Sequence, residues 1–468
     1  MGLGILGGGV ATARFLLRKG AVLTVTDKRD AEILAPSIAK LPKGVSYTIG
    51  KHIKNDFENA DMVVANPAVS RFGEWMMYAE SLSKKIYNDL TLFLTFFVLK
   101  KKTYIAVSGT RGKTTSSVWV NHFLPGSVLG GNIPEKGLLK ILGIRGEPFV
   151  LETSSFQLEY ITEGLLAPKI AFITNLYQDH LNRHGTMEEY ARVKGGIFLN
   201  QSSSDYLVLN YENEWTKYFL SLNPKSRVYY ISTIKLPNKL SGLYEEAGKV
   251  YFKEHATSTF IGNTPFTTDF ENHNLLGALL TSFLYLRDSE LQKKKPKADN
   301  ILWKSLHKNI RNLPQAPMRR EVILKKKGLL VINDSAGTSP DATLALLDSY
   351  RTVPKKELFL ITGGTDKQLD YTLWAPVIKK NISLSNLYFL EGSATTKMLT
   401  ALKLLFPQKT MPTFAVYPAL LDIVKEIHER PGFKTVLFSP GSASFEKFDN
   451  EFDRGKIFSK LSNRIFGR

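Results

Sequence analysis

The heptapeptide GTRGKTT at 109–115 constrains the fold more than any other stretch of the chain. Ahead of it runs TYIAV, a short apolar segment rich in β-branched residues with strand character, and behind it TTSSVWVNHFL carries helical spacing. Strand, glycine loop and helix in that order open a βαβ unit, which requires a parallel sheet flanked by helices. The loop chemistry agrees with that reading. Gly109 and Gly112 let backbone N–H groups close around phosphate oxygens, with Thr110 and Arg111 between them. Lys113 supplies a point charge, and Thr114, followed by Thr115, a hydroxyl for magnesium. The positive N-terminus of the following helix points at the same anion. The loop is shorter than the GxxxxGK[ST] spacing, so a plain glycine turn beside a surface lysine stays open on these residues alone.

A second glycine loop opens the chain. GLGILG places Gly2, Gly4 and Gly7 in a GxGxxG pattern; helical VATARFLLRKG follows, then AVLTVTD, a strand that ends in Asp27 with Lys28 and Arg29 behind it. An acidic residue about 20 positions after such a loop is where a Rossmann-type domain holds a ribose, so an NAD-dependent dehydrogenase is one legitimate reading. The strand that normally precedes the loop is missing. Either the true start lies upstream or the sheet lacks a strand.

Downstream of the phosphate loop, VLETSSFQLE ends an apolar strand in Glu152 and offers Ser154, Ser155 and Gln157 as hydrogen-bonding groups. AFITNLYQDHLNRHG ends another strand at Asn175, with Asp179 and His180 just beyond, and EEYARVKGGIF brings Lys194. Each alone reads as a strand-end carboxylate, a capping histidine or a surface lysine. Their convergence beside a phosphate loop favours a site, because ligands of parallel sheets collect at the carboxyl edge.

The 468-residue length allows two to four domains, and 43% apolar with 22% charged residues is ordinary for a globular protein. The longest apolar run, Leu90 to Leu99, meets Lys100, Lys101 and Lys102. It is half of the roughly 20 residues a bilayer span needs and reads as a buried helix, so no membrane insertion is expected. There is no signal-peptide pattern and no cysteine, which makes the cytoplasm the expected location. A net charge of +19 invites nucleic acid, but the lysines are scattered (100–102, 293–295, 325–327) and not interleaved with aromatics in a recognised motif. No nucleic-acid partner is expected; anionic small molecules suit the charge equally.

Taken together, GTRGKTT, GGNIP at 130–134, SSFQLE at 154–159, NDS at 333–335, GGTDKQLDY at 363–371 and SPGSASFEKF at 439–448 resemble the Mur ligases, with the resemblance running over nearly the whole chain. SSFQLE is the discriminating piece, since the phosphate loop is shared with folylpolyglutamate synthase. The resemblance implies an α/β protein of three domains. These are a Rossmann-like domain at 1–92 for a UDP-linked substrate, a central ATPase-like domain at 93–311, and a C-terminal Rossmann-like domain at 312–468 for the incoming amino acid. It implies an ATP- and Mg2+-dependent amide ligase that joins D-glutamate to UDP-N-acetylmuramoyl-L-alanine through an acyl phosphate, working as a monomer. A Mur-type or folylpolyglutamate-type ligase for another amino acid is the nearest alternative.

The same resemblance assigns roles by position. The first loop (Gly4, Gly7) with Asp27, Lys28 and Arg29, and the strand-end loop VVANPAVS, would hold the uridine diphosphate; Asn132, Ser154 and Gln157 would hold the muramoyl-alanine end. Gly109 to Thr115, Asn274, Arg319 and Asp334 would bind ATP. Thr114 and Glu152 would hold one metal, and His180 with a carbamylated Lys194 a second. Thr338, Lys367 and Ser444 would take D-glutamate. Because the nucleotides and the amine lie on different domains, closure is expected to assemble the site. Three positions depart from the family pattern. Gly277 replaces an asparagine of HNxxN, Ala336 a lysine of NDSKATN, and Phe452 sits one place late for an aromatic. The first two are expected to remove an amide near the base and a cation near the phosphates, and so to weaken ATP binding.

Overall fold

The computed structural model describes residues 1–5, 7–133, 136–294, 296–407 and 412–467. Leu6 of the first glycine loop, Pro134 of GGNIP and Lys295 of the second lysine cluster lie outside them. The chain divides into two compact units, Met1–Pro314 and Gln315–Arg468.

The first unit begins with two short parallel pairs. Thr24–Asp27 (β1) pairs with Ser46–Ile49 (β2), and Met62–Val64 (β3) with Lys85–Tyr87 (β4). Met1 and the first glycine of the loop stitch these pairs together. The Met1 amine donates to Val64 O at 2.9 Å, Asn66 N–H to Met1 O at 2.9 Å, and Gly2 N–H to Thr26 O at 2.8 Å. Two residues thus stand where the sequence shows no strand, and the glycine loop emerges between β1 and β3 as a Rossmann-like arrangement requires.

A nine-stranded sheet follows: Tyr104–Ser108 (β5), Val128–Gly131 (β6), Phe149–Glu152 (β7), Ile170–Ile173 (β8), Tyr206–Asn210 (β9), Arg227–Ser232 (β10), Gly242–Glu246 (β11), Lys249–Glu254 (β12) and Thr257–Asn263 (β13). Their spatial order is β13-β12-β11-β10-β9-β8-β5-β7-β6. The pairs from β6 to β11 are parallel, and β11-β12-β13 form an antiparallel meander. β5, β7 and β8 are buried along their whole lengths, as strands covered on both faces must be. The apolar run at 90–99 is largely the buried helix Asp89–Phe97, capped by Asn88, which accepts from Thr91 N–H. The 23-residue helix Asp269–Leu291 crosses the other face of the sheet. Among the described residues no helix is long and apolar enough to cross a membrane.

The second unit holds Glu321–Lys326 (β14), Leu329–Asn333 (β15), Leu358–Gly363 (β16), Leu387–Leu390 (β17), Val416–Tyr417 (β18) and Lys434–Phe438 (β19). The order is β14-β15-β19-β16-β17-β18, parallel except for the β14-β15 hairpin, with helices packed in two clusters on opposite faces.

Candidate functional site

The β5 strand delivers the phosphate loop onto the edge where β7 and β8 also end, because β5 lies between them. Gly109 has φ +142° and Gly112 φ +78°, conformations that favour glycine. Space enforces the same choice. A Cβ on Gly109 would lie 1.9 Å from Thr174 Oγ1, and one on Gly112 2.1 Å from Asn274 Oδ1. Asn175, two residues past the end of β8, pins the loop: its Oδ1 accepts from Arg111 N–H at 3.0 Å, its Nδ2 donates to Arg111 O at 3.2 Å, and its carbonyl accepts from Thr110 N–H at 3.0 Å. The sequence marks Asn175 only as a strand end; its neighbour in space was not legible from its neighbours in chain.

Lys113 opens the helix Lys113–Phe123 and donates to Thr110 O at 2.9 Å, curled over the loop, with half-buried Thr115 in the same first turn. Buried Thr114 donates to Glu152 Oε2 at 2.7 Å, while Asn132 Nδ2 reaches Glu152 Oε1 at 3.3 Å. Hydroxyl and carboxylate oxygen therefore meet at the foot of the phosphate loop, a donor pair suited to a hard cation. Buried Asn274, on the long helix, lies against Gly112 and accepts from Ser116 Oγ at 3.3 Å.

Lys194 is 2% exposed and donates to Gly109 O at 2.8 Å. Burial, reinforced by the charge of Lys113, lowers its pKa well below the ordinary lysine value, against the pull of Asp179 and Glu152. His180 is left-handed at φ +56° and packs edge-on to Phe156. Lys194 Nζ and the His180 ring lie 4.7 and 6.1 Å from the Tyr190 ring, so the two expected metal ligands face one tyrosine. Among the described residues no three acidic or histidine side chains group as a metal site, so a cation here needs hydroxyl, carbamate or phosphate oxygens as well.

The first loop is built from inside. Gly2, Gly4 and Gly7 all have positive φ, and buried Asp27 accepts from Gly4 N–H and Arg29 N–H, each at 3.0 Å. Its carboxylate thus shapes the loop, while Lys28 and Arg29 are exposed at the end of β1. Gln157 likewise works internally: Oε1 accepts from Ser154 N–H at 3.0 Å, and Nε2 donates to Asp89 Oδ2 at 3.0 Å. Its partner Ser154 caps the turn Ser155–Leu158.

In the second unit, buried Asp334 accepts from Arg320 N–H at 3.1 Å and Ser439 Oγ at 2.9 Å. Burial raises its pKa against the neighbouring Arg320 and Arg319. Arg319 Nη1 donates to Ala336 O at 2.8 Å, and Arg320 Nη1 to Ser349 Oγ at 3.1 Å. Lys367 Nζ reaches Thr338 Oγ1 at 3.4 Å. The backbone bridge between Thr365 and Ala443 brings Ser444 to the same strand edge, its hydroxyl buried and unpartnered among the described groups. Buried Arg454 supports this edge by donating to Ser335 O at 2.8 Å and Ala443 O at 2.9 Å. Phe452 sits half-buried in the first turn of Glu451–Phe466.

The departures now have surroundings. A Cβ at Gly277 would lie 2.0 Å from Phe172 Cζ, so side-chain space at this position is filled by a ring of β8 within the core. Ala336 is 3% exposed, its backbone tied to Met318 O and Arg319.

Comparison with known proteins agrees with this geometry. The family profile "Mur ligase middle domain" matches residues 107–282, and "Mur ligase MurD-like, N-terminal domain" residues 1–86. The chain is 34% identical to UDP-N-acetylmuramoylalanine--D-glutamate ligase of Borreliella afzelii, over 99% of this chain and 97% of the relative. It is 31% identical to the enzyme of that name from Roseiflexus sp., over 98% and 97%. A solved UDP-N-acetylmuramate-alanine ligase from Thermotoga maritima shares the fold, with a TM-score of 0.58 at 18% identity over 99% of this chain and 98% of that one. The chain belongs to the Mur ligase family.

Proposed function

We propose that the chain is the ATP-dependent ligase that adds D-glutamate to UDP-N-acetylmuramoyl-L-alanine in peptidoglycan precursor synthesis. The observation that carries this reading is the convergence of the phosphate loop, the Thr114–Glu152 pair and buried Lys194 on one sheet edge, in a chain 34% identical to ligases of that name. The two glycine loops then serve two polyphosphates, the uridine diphosphate handle and ATP. The three-part division at 1–92, 93–311 and 312–468 is part of the proposal, as are action as a monomer and a cytoplasmic location, where ATP and the nucleotide-linked precursor are both available.

A carboxylate is a poor electrophile and repels the triphosphate that would activate it. Transfer of the γ-phosphoryl group to an alanine carboxylate oxygen releases ADP and leaves an acyl phosphate. The amine nitrogen of D-glutamate then forms the amide bond, the acyl–oxygen bond breaks, and inorganic phosphate and a proton leave. Lys113 and the loop N–H groups stabilise charge gathering between the two anions. Gly109 to Thr115 with Asn274, Arg319 and Asp334 bind ATP. Gly4, Gly7, Lys28 and Arg29 face the uridine diphosphate, with Asp27 fixing the loop; Asn132 and Ser154 hold the acyl end, with Gln157 fixing Ser154. Thr338, Lys367 and Ser444 receive D-glutamate, and an unpartnered buried hydroxyl at Ser444 supports that role.

The donor set fits magnesium: Thr114 and Glu152 supply hard oxygens, and His180 with a carbamate on Lys194 would hold a second ion. When bound, magnesium supplies charge neutralisation between carboxylate and triphosphate. A lowered pKa supports the carbamate, because the neutral amine is the form that adds carbon dioxide.

Phosphate release measured with ATP, magnesium and UDP-N-acetylmuramoyl-L-alanine against a panel of amino acids tests the reading. D-glutamate alone is expected to trigger stoichiometric release. Release with another amino acid, or none that depends on the UDP-linked substrate, overturns it.

A further inference from the structure

SSFQLE at 154–159 does more than face a substrate. Ser154 caps its turn, Ser155 Oγ meets His184 Nε2 at 3.1 Å, Gln157 fixes Ser154, and Leu158 enters the core. Phe156 stands between two groups of the next loop, with the Arg183 guanidinium 4.8 Å and the His180 ring 5.0 Å from its own ring. Glu159, its side chain 2% exposed, accepts from Arg183 Nε at 2.8 Å and Nη2 at 2.7 Å.

Held in this way, Arg183 reaches across to the loop after β3. Nη1 donates to Ala68 O at 2.7 Å, and Nη2 to Val69 O at 2.7 Å and Pro67 O at 3.3 Å. Glu159 Oε2 adds a contact by accepting from Arg71 N–H at 3.3 Å, and Tyr160 OH donates to Val69 O at 3.0 Å. The other end of that loop touches the first glycine loop. Asn66 Cβ is 3.1 Å from where a Cβ on Gly2 would stand, and Asn66 Nδ2 is 3.6 Å from one on Gly4. One loop is therefore anchored to the pyrophosphate cradle at one end and, at the other, to an arginine three residues past His180. Only a planar, permanently charged fork serves several carbonyls and one carboxylate together. Conversely, the buried Glu159 carboxylate without this partly covered guanidinium would be an uncompensated charge.

We propose that Arg183, held by Glu159, is a positioning residue that fixes the reach from the uridine diphosphate cradle to the acyl end, so that binding of the handle is expressed in turnover. The inference rests on the function proposed above. Remote binding energy raises kcat only if the path from handle to reacting atom is rigid. Removing the latch therefore costs a substrate with a handle more than one without it.

The test compares wild type, Arg183→Lys and Glu159→Gln on UDP-N-acetylmuramoyl-L-alanine and on the truncated N-acetylmuramoyl-L-alanine 1-phosphate, with ATP and D-glutamate in excess. In Arg183→Lys, kcat/KM for the full substrate is expected to fall about 10- to 100-fold, while KM for ATP and kcat/KM for the truncated substrate change less than about threefold. An equal loss on both substrates marks a merely structural role and overturns the proposal, as does no loss on either. Should Arg183→Lys fail to fold, Glu159→Gln, which keeps the arginine N–H groups, is expected to show the same inequality and is judged by the same outcomes. Hydrogen exchange of the backbone at 66–71 reads the latch independently of turnover. Protection is expected to drop in either folded variant, and unchanged protection overturns the latch. A wild type inactive with D-glutamate refutes the proposed function, and hydrogen exchange alone then decides the latch.

Discussion

Replacing Gly277 with alanine probes a position whose side-chain space is filled by the ring of Phe172. In the middle of the helix Asp269–Leu291 the exchange would ordinarily stabilise by about 0.5–1 kcal/mol, because glycine loses more backbone freedom on folding. Here the new Cβ would lie 2.0 Å from Cζ and 2.4 Å from Cε1 of Phe172, which is fully buried in β8. Overpacking of that kind costs about 1–3 kcal/mol, so the clash outweighs the propensity and Gly277→Ala is expected to destabilise by about 1–2 kcal/mol. Phe172→Leu alone leaves a void and costs a similar amount, about 1–2 kcal/mol. Combined, the two changes fill one another's space, and most of both losses is expected to return as a coupling of about 1–3 kcal/mol. Thermal unfolding followed by circular dichroism reads the cycle, at about 2 °C per kcal/mol for a unit of this size. Since Asn274 stands one turn earlier against Gly112, Gly277→Ala is also expected to raise KM for ATP by shifting that helix. A single variant that melts at or above wild type, or two losses that add without coupling, would refute the account of Gly277 as the complement of Phe172.

Lys113→Ala is expected to lower kcat by about 10²-fold or more while leaving the melting temperature within a few degrees, since the half-buried side chain lies over the loop, where Nζ donates to Thr110 O, and takes no part in the apolar core; full activity in the folded variant removes the phosphate-loop assignment. Lys194→Ala is expected to lose activity that short carboxylic acids such as formate partly restore, because a carboxylate can stand in for the carbamate; no rescue over a range of acid concentrations counts against it. Burial opposes ionisation of Glu212, but hydrogen bonds from His273 Nε2 and Thr233 N–H outweigh it and hold the carboxyl at about 2. A folded value below the unfolded value of 4.5 means stability that is fully present above about pH 4.5 and lost as pH falls towards 2, reduced by solvent screening of this half-exposed carboxyl to about 1 kcal/mol. Glu212→Gln is expected to flatten acid denaturation in that window, and an unchanged profile refutes the pairing.

The phosphate loop and its strand and helix were legible because glycine spacing, apolar run and helical period agree within one short stretch, where chain neighbours are also spatial neighbours. The converging strand ends were legible for a related reason: parallel strands joined by helices present every carboxyl terminus on one edge. What could not be read is which partner each side chain takes across the sheet. Asp27 stands where a ribose ligand is expected, yet its carboxylate is spent on Gly4 and Arg29 N–H groups. Gln157 looks like a substrate amide, and both its polar ends are used by Ser154 and Asp89.

The same blindness explains the reading of Gly277. The resemblance expects an asparagine at 277 in contact with the base, because it weighs a position only against itself. The structure sets Gly277 against Phe172, two positions far apart in the chain that share one volume. An asparagine at 277 would have to displace a ring that fills the core, so the amide cannot be restored by a single substitution. Ala336 follows the same logic, since its buried methyl sits on backbone already committed to Met318 and Arg319. Arg320, the obvious substitute cation, directs Nη1 to Ser349 Oγ. The weaker ATP binding expected from the sequence would therefore be a property of packed pairs rather than of single residues. Repairing it would take Phe172→Leu together with Gly277→Asn, and KM for ATP should fall only in that pair; a fall with Gly277→Asn alone would show that the ring yields and that the departure is local after all.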